Sequence, residues 1–210
     1  MRVNGDEAEI RRLVEDWAVW RDAGDWDRFA TVWHPDGVMQ ATWFQGGYRA
    51  FIQVSREGWE RGVRIWHFLG GTSADIAGDR AVAQTKMTIT QRALVEGVEC
   101  DVVCTGRFYD LLQRDGHRDD AGGRHGGWAL VLRQPIYERD RIDPVDPAAR
   151  PVLDADRLRG LPEGYRHLAY LQTGLGYQVK MDMPQLTGPP VEALHRRGAD
   201  WLRGEKAADD

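Results

Sequence analysis

Between residues 80 and 112 the chain alternates between two classes of side chain, and the interruption falls at Glu96-Gly97. A period of two sustained over that length describes two long strands, and the acid–glycine pair describes a tight antiparallel turn between them. No other stretch restricts the fold as much, because a hairpin of this size has one face to bury and needs other elements to cover it. In its second strand, residues 101–111, the alternation puts Val103, Thr105, Arg107 and Tyr109 on one face.

The segments before the hairpin read as the covering elements. Asp6-Glu7-Ala8-Glu9 has the form of a capped helix start, with Glu9 placed to close a capping box. Ile10, Leu13, Val14, Trp17 and Ala18 then recur at helical spacing and predict one buried stripe. Asp22 continues the row of Val14 and Ala18 at four-residue steps, which places a carboxylate at the helix end where the dipole disfavours it. Either it is solvated there or a cation elsewhere in the fold holds it. Gly24-Asp25-Trp26-Asp27-Arg28 ends this helix and caps a second, short one through Trp33, and His34-Pro35-Asp36-Gly37 reads as a turn. A strand over residues 38–44, Gly46-Gly47 and a helix over 48–60 follow. The next apolar run, residues 63–69, reads as a strand ended by a tight turn at Gly70-Gly71.

Beyond the hairpin, residues 113–127 are polar and glycine-rich and predict a long loop. His117, Asp119, Asp120 and His125 within it carry no rigid ligand geometry, so no metal is expected. A last strand covers residues 128–137. Helices followed by long antiparallel strands give an α+β pattern, with the helices on one side of a curved sheet. Pro144, Pro147 and Pro151 then break the periodicity, so the reading divides the chain into a domain of residues 1–142 and an extension of 143–210. Two further helices are expected there, over residues 164–173 and from Pro189-Pro190 onward with Val191, Leu194, Trp201 and Leu202. These side chains are too apolar for a disordered tail, so the extension is expected to pack on the sheet domain or on a neighbouring subunit, over a pocket mouth.

Composition excludes several classes of function. A net charge of −5 without a long basic run argues against nucleic acid. No apolar stretch reaches membrane-spanning length and residues 1–6 do not read as a signal peptide, so a cytoplasmic location is expected. Cys100 and Cys104, on one strand face and ~13 Å apart, are beyond disulfide reach and are expected as reduced, buried thiols. Nine tryptophans are many for 210 residues; they can fill a core or wall an apolar pocket. The ionisable side chain of the 63–69 strand is His67, which shares a face with Val63, Ile65 and Leu69 while Trp66 and Phe68 point the other way. A histidine so placed is either a satisfied core residue or a base in a pocket.

Trp17-Ala18, Asp25-Trp26-Asp27-Arg28 and His67-Phe68-x-Gly70-Gly71-Thr72, with weaker support from Gln91-Arg92 and Asp115-Gly116, resemble scytalone dehydratase and its SnoaL-like relatives in the nuclear transport factor 2-like superfamily. The resemblance covers residues 6–140. It implies a cone-shaped α+β fold with a mixed or antiparallel curved sheet, helices on the concave side and a deep apolar pocket that works without a cofactor. It also implies that an aspartate on the first helix holds a strand histidine acting as general base. Those positions fall on Asp22 and His67, which would make His67 the cationic partner that Asp22 calls for. The family's relay groups are replaced: a second histidine aligns with Thr90, two tyrosines with Arg21 and Ala41, and a deep serine–asparagine pair with Thr105 and Arg107. Phe44 is expected in the pocket wall, and Arg107 as the group that meets an anion there. The function so implied is a dehydratase-like lyase acting on an aromatic or polycyclic hydroxy compound. The alternatives are an aryl-propane lyase releasing formaldehyde, an isomerase, cyclase or hydrolase, and a non-catalytic binding module. A homo-oligomer, trimer or dimer, is expected because Trp66 and Phe68 need cover.

Overall fold

The computed structural model describes residues 2–114 and 127–205; His117, Asp119, Asp120 and His125 lie outside the described residues. The elements are α1 (Arg2–Ala23), α2 (Trp26–Ala30), β1 (Trp33–Gln40), β2 (Gln45–Gly47), α3 (Tyr48–Glu60), β3 (Arg64–Ala77), β4 (Arg80–Val95), β5 (Val98–Arg114) and β6 (Trp128–Pro144). They are followed by α4 (Ala155–Arg159), a 3₁₀ turn (Glu163–Tyr165), α5 (Arg166–Gly174) and α6 (Pro189–Leu202). The strands form one curved, unclosed sheet in the order β2-β1-β6-β5-β4-β3. Every pairing is antiparallel except that of β1 with β6. The central hairpin is β4–β5. Its turn residues Glu96 and Gly97 both have positive φ, 48° and 79°, the geometry that matches the twist of two tightly joined strands.

Three local expectations are corrected. α1 starts at Arg2, four residues before Asp6, because the two acids serve tertiary contacts in place of a cap. Asp6 accepts from Arg114 at 2.6 Å, and Glu9 accepts from the Trp128 amide at 3.0 Å, which ties the helix to the end of the sheet. Gly70-Gly71 does not end its strand: β3 runs on to Ala77, and the register slips between Leu69 and Thr72. Two residues without side chains let the strand bulge and bend without breaking. Likewise His34-Pro35-Asp36-Gly37 lies inside β1, as a turn-like irregularity between Trp33 and Val38 in which His34 Nδ1 accepts from the Asp36 amide.

The sheet has two covered faces. On the concave one, Cys100, Cys104 and Phe108 of β5 join Trp17 of α1, Phe29 of α2, Phe51 of α3 and Leu168 of α5 in the main core. Trp17 sits at its centre, 5.3 Å from Phe29 and 5.4 Å from Phe108 between ring centroids. Cys100 and Cys104 are free thiols. On the convex face Val191, Leu194 and Trp201 of α6 cover Val82, Tyr109, Leu111, Leu132 and Ile136. The extension is therefore divided, α5 closing one side of the sheet and α6 the other. Farther along the convex face, Trp66 and Phe68 are left 45% and 78% exposed. No helix among the described residues is long and apolar enough to cross a membrane.

Trp201 is the anchor of α6: it is 4% exposed, donates to the Leu112 carbonyl at 3.1 Å and lies under the Arg80 guanidinium. Trp201→Ala should cost about 3–5 kcal/mol. This would be read as a lower urea midpoint at unchanged slope; an unchanged midpoint would mean that α6 contributes nothing to the fold.

Candidate active site

β3 is the last strand of the sheet, so every second residue turns its backbone N–H and C=O away from β4 and toward α1. The last turn of α1 meets that edge with two charged side chains. Asp22 Oδ2 accepts the His67 amide at 2.6 Å, and Asp22 Oδ1 accepts His67 Nδ1 at 2.8 Å. Arg21 Nη1 donates to the Ile65 carbonyl at 3.3 Å. One carboxylate thus fixes both the strand and the ring that the strand carries. An ionised carboxylate can only accept, so the hydrogen is on Nδ1 and the lone pair on Nε2. Trp17 edge-on at 5.1 Å and Phe108 at 5.9 Å hold the imidazole from two sides.

Burial lowers the His67 pKa from its ordinary value, against the hydrogen bond and charge of Asp22, and the charges of Arg21 and Arg133 lower it further. The ring is neutral at neutral pH. This corrects the expectation that His67 would be the cation beside Asp22; the cationic neighbour is Arg21, with Nη1 3.5 Å from Oδ1. Burial also lowers the Arg21 pKa, opposed by Asp22. A second buried ion pair stands behind the imidazole. Arg133 Nε and Nη2 donate to the two oxygens of Asp110 at 2.8 and 2.7 Å, and neither side chain is exposed. Its guanidinium lies 4.3 Å from the Trp17 ring centre and 4.2 Å from that of Phe108, the same two rings that hold His67. The sequence reading missed this pair. Its signal is the alternation that puts Asp110 on the Phe108 face, but its partner follows only from the register Asp110↔Arg133.

Two adjoining chambers lead to His67. The outer one, about 270 Å³, is lined among others by Trp43, Phe44, Ser55, Trp59 and Tyr177. The inner one, about 40 Å³, holds His67, Ala41, Gln91, Phe108 and Leu168 in its wall. Both share Arg21, Ile65 and Gln172. The inner chamber has room for about one water or a few atoms of a larger molecule. α5 closes this space, with Gln172 accepting from Thr42 Oγ1 at 2.7 Å. Among the described residues no cluster of three or more His, Cys, Asp or Glu side chains could hold a metal ion.

Of the residues expected in the pocket, His67, Arg21, Ala41 and Phe44 line it, and Asp22 holds His67 without lining either chamber. Thr90, Thr105 and Arg107 do not. Thr90 pairs with the outward Trp66, and Arg107 shares the convex face with Ile136. There Arg107 is held by Glu138 at 2.8 Å and Gln84 at 2.7 Å, while Thr105 donates to the Arg139 carbonyl. Adjacent strand positions face opposite ways, and the concave side is set by pairing with His67, which faces Ile89. Gln91, 3% exposed and in the wall of both chambers, is therefore an inward polar group of β4.

The profile of the SnoaL-like domain matches residues 4–134. Pea pathogenicity protein 2 of Fusarium vanettenii is 37% identical, over 96% of this chain and 87% of its own. Among solved structures, a candidate scytalone dehydratase from Novosphingobium aromaticivorans is 19% identical with TM-score 0.50, over 71% of this chain and 94% of that one. A type 2 hexachlorocyclohexane dehydrochlorinase is 14% identical with TM-score 0.54, over 73% and 96%.

Nitrogen-15 NMR should show His67 as the neutral Nδ1–H tautomer at neutral pH, titrating below the ordinary histidine value. Asp22→Asn should lower that value further, since Asp22 is what raises it. Because the unfolded chain binds this proton first as pH falls, folding stability should decline from the ordinary histidine pKa down to the folded one. A His67 that titrates above the ordinary value would overturn this electrostatic account.

Proposed function

The chain belongs to the SnoaL-like domain family, and we propose that it is a cofactor-independent lyase in which His67 is the general base and Asp22 its orienting partner. One observation carries the reading: a neutral imidazole, fixed through Nδ1, lines a largely apolar chamber, and its other nitrogen has no hydrogen-bond partner among the described residues. Nε2 takes a proton from a carbon next to an activating carbonyl. The released electron pair forms the new double bond as a hydroxyl on the adjacent carbon departs. The imidazolium returns its proton to that oxygen, so water leaves and His67 is restored. Asp22 stabilises the imidazolium in between and keeps the ring in the working tautomer. Trp43, Phe44 and Trp59 make an outer chamber suited to an aromatic or polycyclic hydroxy compound. The names of two proteins of like fold, a dehydratase and a dehydrochlorinase, denote eliminations and support this class of reaction.

The same reading includes a homo-oligomer, trimer or dimer, that covers Trp66 and Phe68 on the convex face. Light scattering at micromolar concentration should give a mass above that of one chain; a monomer would count against it.

His67→Ala should remove turnover by about 10²–10⁴-fold while leaving the fold intact by circular dichroism. Asp22→Asn should cost nearly as much, and the double variant little more than either, because both changes disable one unit. A His67→Ala protein that melts early yet turns over at the wild-type rate would sink the proposal.

A further inference from the structure

The two buried arginines of the concave side differ in how they are served. Arg133 spends Nε and Nη2 on a two-pronged bond with Asp110, and its Nη1 is sealed in the core with no hydrogen-bond partner among the described residues. Arg21, only 6% exposed, uses Nη1 alone, at 3.3 Å to the Ile65 carbonyl and 3.5 Å to Asp22. Its Nε and Nη2 have no hydrogen-bond partner among the described residues, and they are not sealed off either: the side chain lines both chambers at their junction. A guanidinium carries five N–H donors, and burying it without satisfying them is costly. The carboxylate beside it meets only Nη1, at 3.5 Å, while its two oxygens also take the amide and ring N–H of His67 at 2.6 and 2.8 Å. The acid lining the pocket is Glu57, and it belongs to the outer chamber.

We propose that the open edge of Arg21 receives a substrate oxygen that carries negative charge in the reaction, so that the substrates are enolisable carbonyl compounds bound with that oxygen between the chambers. This rests on the proposed role of His67 and adds the other half of the proton transfer. As Nε2 takes the proton, the C–H electron pair moves through the adjacent carbon onto the carbonyl oxygen. Positive charge appears on the imidazole, beside Asp22, and negative charge on the oxygen, beside Arg21. The pair then returns to form the C=C bond as the leaving hydroxyl departs with the imidazolium proton. Arg21 and Asp22 are consecutive, so one turn of α1 supplies the fixed countercharge for both halves. The sequence reading gave the anion-binding role to Arg107, which the fold turns outward. Arg21 lines both chambers, whereas the other arginine of the lining, Arg61, belongs to the outer one alone.

A phenolate resembles an enolate in shape and charge, which allows a binding test without the true substrate. At mildly alkaline pH 4-nitrophenol is ionised, whereas 4-nitroaniline has nearly the same shape and no charge. Calorimetric titration of the intact protein should show 4-nitrophenolate binding about tenfold or more tighter than 4-nitroaniline. Arg21→Met and Arg21→Gln should abolish that preference, Arg21→Lys should keep part of it, and His67→Gln should keep most of it. Equal binding of the two probes to the wild type, no saturable binding of either, or a preference that survives in Arg21→Met would each overturn the proposal. These outcomes are independent of the turnover lost in His67→Ala. The base can therefore stand while the oxyanion site falls, and the reverse.

Discussion

The grip of Asp22 on the edge of β3 is the contact on which the site depends. A sheet that ends in a strand exposes a row of unpaired backbone groups, and here α1 lies along that row and answers it with side chains. Because the same carboxylate takes the amide and the ring of His67, the position of the helix, the strand and the imidazole are one constraint. Moving α1 along the strand would release a backbone donor and unfix the histidine together. The cost of a part-buried carboxylate at a helix C-terminus is offset by two hydrogen bonds from one residue and by the neighbouring charge of Arg21.

Behind the imidazole the core carries more charge than its aromatic walls suggest. Arg133 and Asp110 are fully buried, and burial raises the Asp110 pKa against the pull of its arginine. Such a pair adds little net stability compared with apolar side chains of equal volume. Its effect on the site is electrostatic: a fixed positive charge across Trp17 and Phe108 from His67 joins burial and Arg21 in holding the ring neutral. The site thus balances one carboxylate that favours the imidazolium against two guanidiniums that oppose it, and desolvation decides the sign.

The pocket is not contained in the stretch that matches the family profile. Residues 4–134 supply Asp22, His67, Arg21 and most of the aromatic wall. Tyr137, Leu168, Gln172 and Tyr177 come from beyond it and close the remaining side. The C-terminal extension therefore does two separate jobs. α5 and the residues after it bound the chambers, whereas α6 buries the convex face, where Trp201 and Leu194 meet Tyr109 and Leu111.

What the sequence determined by itself was whatever depends on near neighbours. The hairpin and its turn at Glu96-Gly97, the buried stripe Ile10–Leu13–Val14–Trp17–Ala18, the helix over 48–60 and the helix opened by Pro189-Pro190 all follow from periods of 2 and 3.6 and from turn chemistry. The meeting of Asp22 and His67 came from a resemblance; no spacing between residues 45 apart could give it. Tertiary structure alone decided which face of each strand looks inward. Alternation groups Thr105 with Arg107 and Asp110 with Phe108, but it does not say which group meets the helices. That choice rests on pairing between distant strands, where a shift of one residue turns every side chain over. For this reason Arg107, Thr105 and Thr90 lie outside while Gln91 and the Arg133–Asp110 pair lie within.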